Sequence, residues 1–332
     1  TLRILFWVAA AALAALGLVL GYRQIASPDL GFHLSTARWI VENLAFPGTD
    51  PFTYTVSDRP YIDLQWLFQL LAYGAHELAG PPLLVAGTTA LTLAFAGLLL
   101  LRDHRRNGRI GLPSLVLLLL LFFGNLWEPR PHLLSWIYGS CLLLVLEEYA
   151  RGSRRWLPAL PAIMVLWVNS HSLFVLGLVV IATYVFSELV IGLWRQRRVH
   201  ADRRLLVWSA AAVAACLINP YHVHAFLFPL TQFFEIQGGS VYKSVLTGTA
   251  EFTSPFTFDQ YMMDGRLVLF QPRLAWQVFT VLALVGALGS IRRARLAEGV
   301  LFVGFFYIFW QANKNFGYFV MVVTPIDRKS VV

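Results

Sequence analysis

The chain of 332 residues is 58% hydrophobic and 13% charged, with a mean hydropathy of +0.63. Soluble domains carry about a quarter charged residues, so the composition excludes an ordinary globular enzyme and describes a membrane protein. The net charge of +8 is divided among short segments rather than gathered into one patch, which argues against a nucleic-acid surface. Cys141 and Cys216 lie inside apolar runs and supply neither a loop disulfide framework nor a CxxC metal site.

Apolar runs predict spans at roughly 4–21, 81–101, 111–126, 131–150, 156–169, 172–194, 205–218, 273–291 and 297–311, with a shorter one from 316. They must be helices, because lipid offers no partner to backbone N–H and C=O groups and nothing reads as alternating barrel strands. The first run, "ILFWVAAAALAALGLVLG", lacks a clear small-residue cleavage site and is expected to be retained. The last, "FGYFVMVVTPI", covers about half a membrane thickness, and the chain has no initiator Met, so a C-terminally truncated fragment is expected. The expected fold class is all-α: a polytopic integral membrane helical bundle of about ten transmembrane helices. It forms one transmembrane domain over 1–332, with outer loops at 22–80 and 219–272.

The loops "RDHRRNGR", "RGSRR", "RQRRVHADRR" and "RRAR" hold fifteen of the 26 Lys and Arg, and they fall at every second loop. Cytoplasmic loops collect basic residues. The segments 22–80 and 219–272, with the turns "NLWEPRPH", "WVNSHS" and "QANKN", therefore share the opposite face.

Within 22–80, "PDLGFHLSTARWIVENLAF" sets Leu30, Leu34, Ala37, Trp39, Ile40 and Leu44 near helical spacing, which predicts an amphipathic helix on the membrane surface. Asp29, after Pro28, stands where its N-cap belongs. "YIDLQWLFQLLAYGAHELAG" predicts a second interfacial helix, with Asp63 as its cap.

Polar residues crowd the outer ends of the spans. The first loop supplies Asp29, His33, Asp50, Asp58 and Asp63; the later turns supply Glu128, Arg130, His132, Asn169, His171, Asn219, His222, His224, Glu251 and Lys314. Asp50 in "GTDPF", Asp58 in "VSDRP" and Asn219 in "NPY" suit turns. Arg130 and the pair Asn169 and His171 sit where apolar helices meet, and ionisable residues at such depth usually face a polar cavity serving a substrate or ion. Acids opposite Arg, His and Lys would suit a substrate that carries a phosphate and needs a proton abstracted nearby. Hard cations prefer carboxylate oxygens, so a divalent ion such as Mg or Mn would be held by Asp29 with Asp50 or Asp63, although no compact acidic motif requires it.

The order of "PDLGFHLSTARWI", "FPGTDPFTYT", "DLQWLFQLLAY", "EPRPHLLSW", "LWVNSHSLFVLG", "INPYHVHAF" and "EFTSPF" resembles a group of bacterial polytopic glycosyltransferase-like membrane proteins of the GT-C superfamily. The resemblance runs from about residue 1 to 325. It implies a bacterial inner-membrane enzyme that takes a sugar from a polyprenyl-phosphate carrier and works on the periplasmic face, with a first-loop acid, here Asp29, as the base. The implied partners are the lipid bilayer, the sugar donor and a glycan, lipid or protein acceptor, without nucleic acid. Gly31 and Phe32 stand where paired aromatics are expected before the histidine, Gln65 stands where an acid is expected, and Leu30 breaks the acid pair seen in some relatives.

On this reading, Arg130, His132, His171 and Lys314 stabilise charge on the leaving phosphate. Asp50, Asp63 and Glu251 orient sugar hydroxyls, and His33, Asn169, Asn219 and His222 complete the expected substrate-binding set. A lipid-linked glycan transporter or flippase is the alternative. The uniformly apolar spans between polar outer ends count against it, because transporters carry broken helices near the midplane. A noncatalytic envelope-assembly protein is a further one.

Overall fold

The computed structural model describes residues 2–56, 59–108, 110, 112–123, 127–197, 201–237, 250–257, 262–263, 266–267, 272–290 and 295–323. Asp58 and the basic positions 198 and 292–293 lie outside the described residues. The regular structure of the described residues is helical apart from a two-residue antiparallel pairing of Met262–Met263 with Arg266–Leu267 and an isolated antiparallel bridge between Thr49 and Pro60. In chain order the helices are α1 (Leu2–Gly21), α2 (Leu30–Asn43), α3 (Trp66–Ala79), α4 (Pro81–Asn107), α5 (Leu112–Phe123), α6 (His132–Ala150) and α7 (Ala159–Val168). They continue with α8 (Phe174–Gln196), α9 (Arg203–Ala215), α10 (His222–Gln237), α11 (Pro272–Ser290), α12 (Leu296–Gln311) and α13 (Phe316–Val323).

Each expected span coincides with a helix, but the lengths divide them. Pro81–Asn107, His132–Ala150, Phe174–Trp194 and Pro272–Gly289 are long and apolar enough to cross a membrane. The apolar helix Ala159–Val168 has 10 residues, about 15 Å at 1.5 Å per residue, or half a hydrocarbon core. One expectation is corrected. Residues 102–107 of "RDHRRNGR" are not a loop, because α4 continues through them to Asn107. Within the segment 219–272, "HVHAFLFPLTQFFEIQ" forms α10, with Pro229 inside it.

The chain folds into two compact units, and their boundary passes through α4. One holds residues 1–23, 92–127 and 239–332. In it α5 packs on α1 and α11, and Gly17 of α1 admits Leu93 and Phe122 so closely that a Cβ would lie 2.8 Å from Leu93 Cδ2. Phe279, Phe309, Phe316 and Phe319 form its aromatic core, with Phe309 stacked on Phe319 at 5.4 Å. Charges counted as cytoplasmic markers act here as structure. Arg102, 1% exposed, donates to the Met321 carbonyl, Asp103 accepts from Asn107 and Ser114, and Arg106 holds Glu298 through two 3.0 Å bonds.

The other unit holds residues 24–91 and 128–238. Here α2 packs on α3, α6 on α7 and α8, and α7 along α9. The buried residues of α9 are Leu205, Ser209, Ala212 and Ala215; small residues let backbones approach where apolar burial alone supplies little attraction between helices. Along α8, Val179, Phe186 and Leu193 recur every seventh residue as an exposed apolar stripe, while Phe174, Val180, Ile181 and Tyr184 are buried.

The expected apolar face of α2 differs from the observed one. His33, Thr36, Ala37 and Ile40 are buried, at spacings of three and four. Leu30, Leu34 and Trp39 are half-buried. Leu44 lies beyond the helix as a left-handed C-cap with φ 49° and 91% exposure, a position glycine usually fills.

Gly177 of α8 provides a test of this packing. A Cβ there would meet the buried Trp167 ring at 2.7 Å and Met164 Sδ at 2.9 Å. Overpacking of this kind costs about 1–3 kcal/mol. Gly177→Ala is expected to lower the unfolding midpoint in detergent, whereas Gly74→Ala, inside α3 with open space around its Cβ, should raise it slightly through helix propensity.

Candidate functional site

The turn "EPRPH" holds Arg130 between Pro129 and Pro131, and Pro131 serves as the N-cap of α6. Three contacts bind this turn to the segment after α1. The Ala26 N–H donates to Glu128 Oε2 at 3.3 Å, Arg130 Nε donates to Ser27 Oγ at 3.3 Å, and Arg130 Nη2 lies 3.4 Å from Asp29 Oδ2.

Asp29 occupies the N-cap position of α2, yet its side chain makes no capping hydrogen bond and its backbone is αR rather than extended. The expected cap role for this carboxylate is therefore corrected. The helix does not use it, and Arg130, 17% exposed against 54% for Asp29, is its charged partner. At 3.4 Å the pair is looser than the 2.7–2.9 Å of a tight charge-assisted bond.

One turn along α2, His33 is 4% exposed. Its ring packs edge-on against Phe68 at 5.3 Å and beside Phe32, and its Nδ1 has no hydrogen-bond partner. Burial pulls its pKa from 6.5 down to about 4, with Asp29 opposing and Arg130 assisting the shift.

Asp63 lies 5% exposed two residues ahead of Gln65, the N-cap of α3. Its Oδ1 accepts from the Gln65 N–H at 2.9 Å and from Gln69 Nε2 at 3.2 Å, so it braces the first turn without occupying the cap position. Oδ2 is buried without a partner, and burial pushes the carboxyl up to about 6. Tyr61 and Tyr221 face the same acid. Burial raises both phenols, that of Tyr221 to about 12.

Other expected ligand groups are occupied by the chain itself. Asp50 Oδ1 accepts from the Phe52 and Thr53 N–H groups at 2.9 and 3.1 Å, closing a turn. Asn169 accepts from Trp66 Nε1 at 2.9 Å and donates to the Val165 and Ile218 carbonyls, which leaves its amide no hydrogen for a ligand. Asn219 accepts from the Tyr221 N–H and donates to the Cys216 and His222 carbonyls. His222 is exposed at φ 49°, with Nδ1 3.4 Å from the Leu217 carbonyl. His132 lies against Trp136, ring centroids 4.6 Å apart. His171 Nδ1 is 2.9 Å from Ser135 Oγ, which also accepts from Trp167 Nε1.

Glu251 and Lys314 belong to the other compact unit. There they lie on two short turns joined by the Asn313 N–H to Thr253 carbonyl bond, with Lys314 Nζ 3.4 Å from the centre of the Phe252 ring. Among the described residues, no three His, Cys, Asp or Glu side chains converge as a metal site. Asp29, Asp50 and Asp63 are instead engaged separately, with Arg130, with a turn and with α3.

The residues that sequence reasoning missed are Ser27, Ser135, Thr36, Tyr61, Gln69 and Trp167. The available signal was a small hydroxyl or amide at a helix-facing position in an apolar stretch, most visibly Ser135 in "HLLSWIYGS".

His33 and Asp63 make opposing contributions to stability. The lowered histidine pKa gives stability that is complete above 6.5 and lost as pH falls through about 4. The raised carboxyl pKa gives stability that is complete below 3.8 and lost as pH rises through about 6. Between pH 4 and 6 the two largely cancel. Asp63→Asn should unmask the histidine, losing on the order of 2 kcal/mol between pH 6.5 and 4; His33→Phe should gain stability over the same fall. Unfolding midpoints in detergent against pH check this, and two variants that both follow the parent's profile would contradict it.

No protein-family model, curated protein or solved structure matches the chain.

Proposed function

We propose that this chain is an inverting membrane glycosyltransferase of GT-C type. It transfers a sugar from a polyprenyl-phosphate donor to a hydroxyl acceptor on the periplasmic face of a bacterial inner membrane. The observation that carries the reading is Asp29: a half-exposed carboxylate that its own helix does not use, set beside a more buried arginine. The four apolar helices long enough to cross a bilayer give the setting. The shorter apolar helices 10–21, 114–123, 159–168 and 296–311 would belong to a bundle of about ten spans, with α2 and α3 at the interface.

In the proposed step Asp29 accepts the proton of the acceptor hydroxyl as that oxygen attacks the anomeric carbon. The bond from that carbon to the phosphate oxygen breaks on the opposite side, and polyprenyl phosphate leaves with the electron pair. Arg130 stabilises the charge growing on the phosphate. A loose pair suits this division, since Arg130 can meet a phosphate oxygen without first breaking a tight bidentate contact with Asp29.

Purified protein incubated with a panel of radiolabelled polyprenyl-phosphate sugars tests the reading by donor hydrolysis or transfer. Asp29→Asn in a folded preparation should lower the rate at least 100-fold, the scale of a general base. Transfer at the parental rate would remove Asp29 from the chemistry. Failure of the parent with every donor would favour the noncatalytic assembly role.

A further inference from the structure

The hydrogen-bond arithmetic around Ser135 determines the chemical state of His171. Ser135 stands in the first turn of α6 and is fully buried. Its Oγ has two side-chain partners: Trp167 Nε1 at 2.8 Å and His171 Nδ1 at 2.9 Å. An indole N–H can only donate, so Trp167 takes one lone pair of the hydroxyl. The hydroxyl's own hydrogen then needs an acceptor, and among the described residues the one within reach is His171 Nδ1.

We infer that Ser135 is a positioning residue that holds His171 as a neutral imidazole with its proton on Nε2. The opposite tautomer, or the imidazolium, would turn Nδ1–H toward Ser135 Oγ. The oxygen's two lone pairs would then take both ring N–H groups, and the serine hydrogen would be left buried and unpaired. An unmade bond at a buried polar group costs more than a made bond contributes, so the preference is one-sided. Trp167 is itself fully buried, with its ring lying close against Gly177. On the transferase reading, on which this functional consequence rests, His171 meets a phosphate oxygen as a neutral Nε2–H donor. Arg130 then supplies the positive charge. The tautomer itself is inferred from the contacts of Ser135, independently of the transferase reading.

The test is long-range proton–nitrogen correlation NMR on the full chain in detergent with 15N-labelled histidine, assigning His171 by comparison with His171→Gln. At pH 7 the parent should show an unprotonated Nδ1 and a protonated Nε2, with the Nε2–H form favoured at least tenfold. Ser135→Ala should reduce that preference several-fold, and Ser135→Thr, which keeps the hydroxyl, should restore it. A protonated Nδ1 in the parent would overturn the inference, as would an unchanged His171 spectrum in folded Ser135→Ala. Should Ser135→Ala not fold, the parent spectrum decides alone. The predicted tautomer in a chain that transfers no sugar would support the inference while removing the transferase reading.

Discussion

The unit that carries Asp29 depends on one side chain, Asn169. Its Oδ1 accepts from the indole of Trp66, its carbonyl accepts from the Leu67 N–H, and its amide donates to the Val165 and Ile218 carbonyls. The first turn of α3, the end of α7 and the turn after α9 are thereby fixed to one point. In lipid an unmet backbone carbonyl costs several kcal/mol, so the carbonyls freed where α7 and α9 end need a donor. A single 5% exposed amide provides it.

With that joint in place, the polar residues of this unit divide by what they still have to offer. Asn219, Asp50 and Asp63 resemble Asn169 in that their groups close turns or brace helix starts. Asp29, Arg130 and His171 are positioned differently. Asp29 is ignored by α2, Arg130 is steered by Ser27 and two prolines, and the state of His171 is set by Ser135. Chemistry needs groups whose orientation is fixed by neighbours, and the contacts of these three orient them without closing a helix end.

Hydropathy made the helices legible because lipid solvent leaves a strong compositional mark, and each of the ten apolar runs contains a helix among the described residues. It could not show that α7 stops after ten residues, since the end is made by Asn169 and Ser170 turning back on Val165 and Leu166. Treating "RDHRRNGR" as a loop failed for a related reason. Arg102 and Arg106 find a carbonyl and a carboxylate on distant segments, and no local pattern reveals such partners. The periodicity of α2 was visible, but its face was chosen too apolar: a histidine and a threonine are buried while Leu44 turns out of the helix. The candidate acids were legible as an outer cluster. Their separate uses were not, because each is decided by one or two hydrogen bonds.

The central claim is that Asp29 is present for a ligand and not for its helix. Amide hydrogen exchange over the first turn of α2, compared between the parent chain and Asp29→Ala without any donor, addresses it directly. Removing a working N-cap commonly costs about 1 kcal/mol, which would speed exchange there several-fold. Unchanged protection at Phe32 and His33 is the predicted result. Faster exchange confined to that turn would show that the carboxylate serves the helix after all.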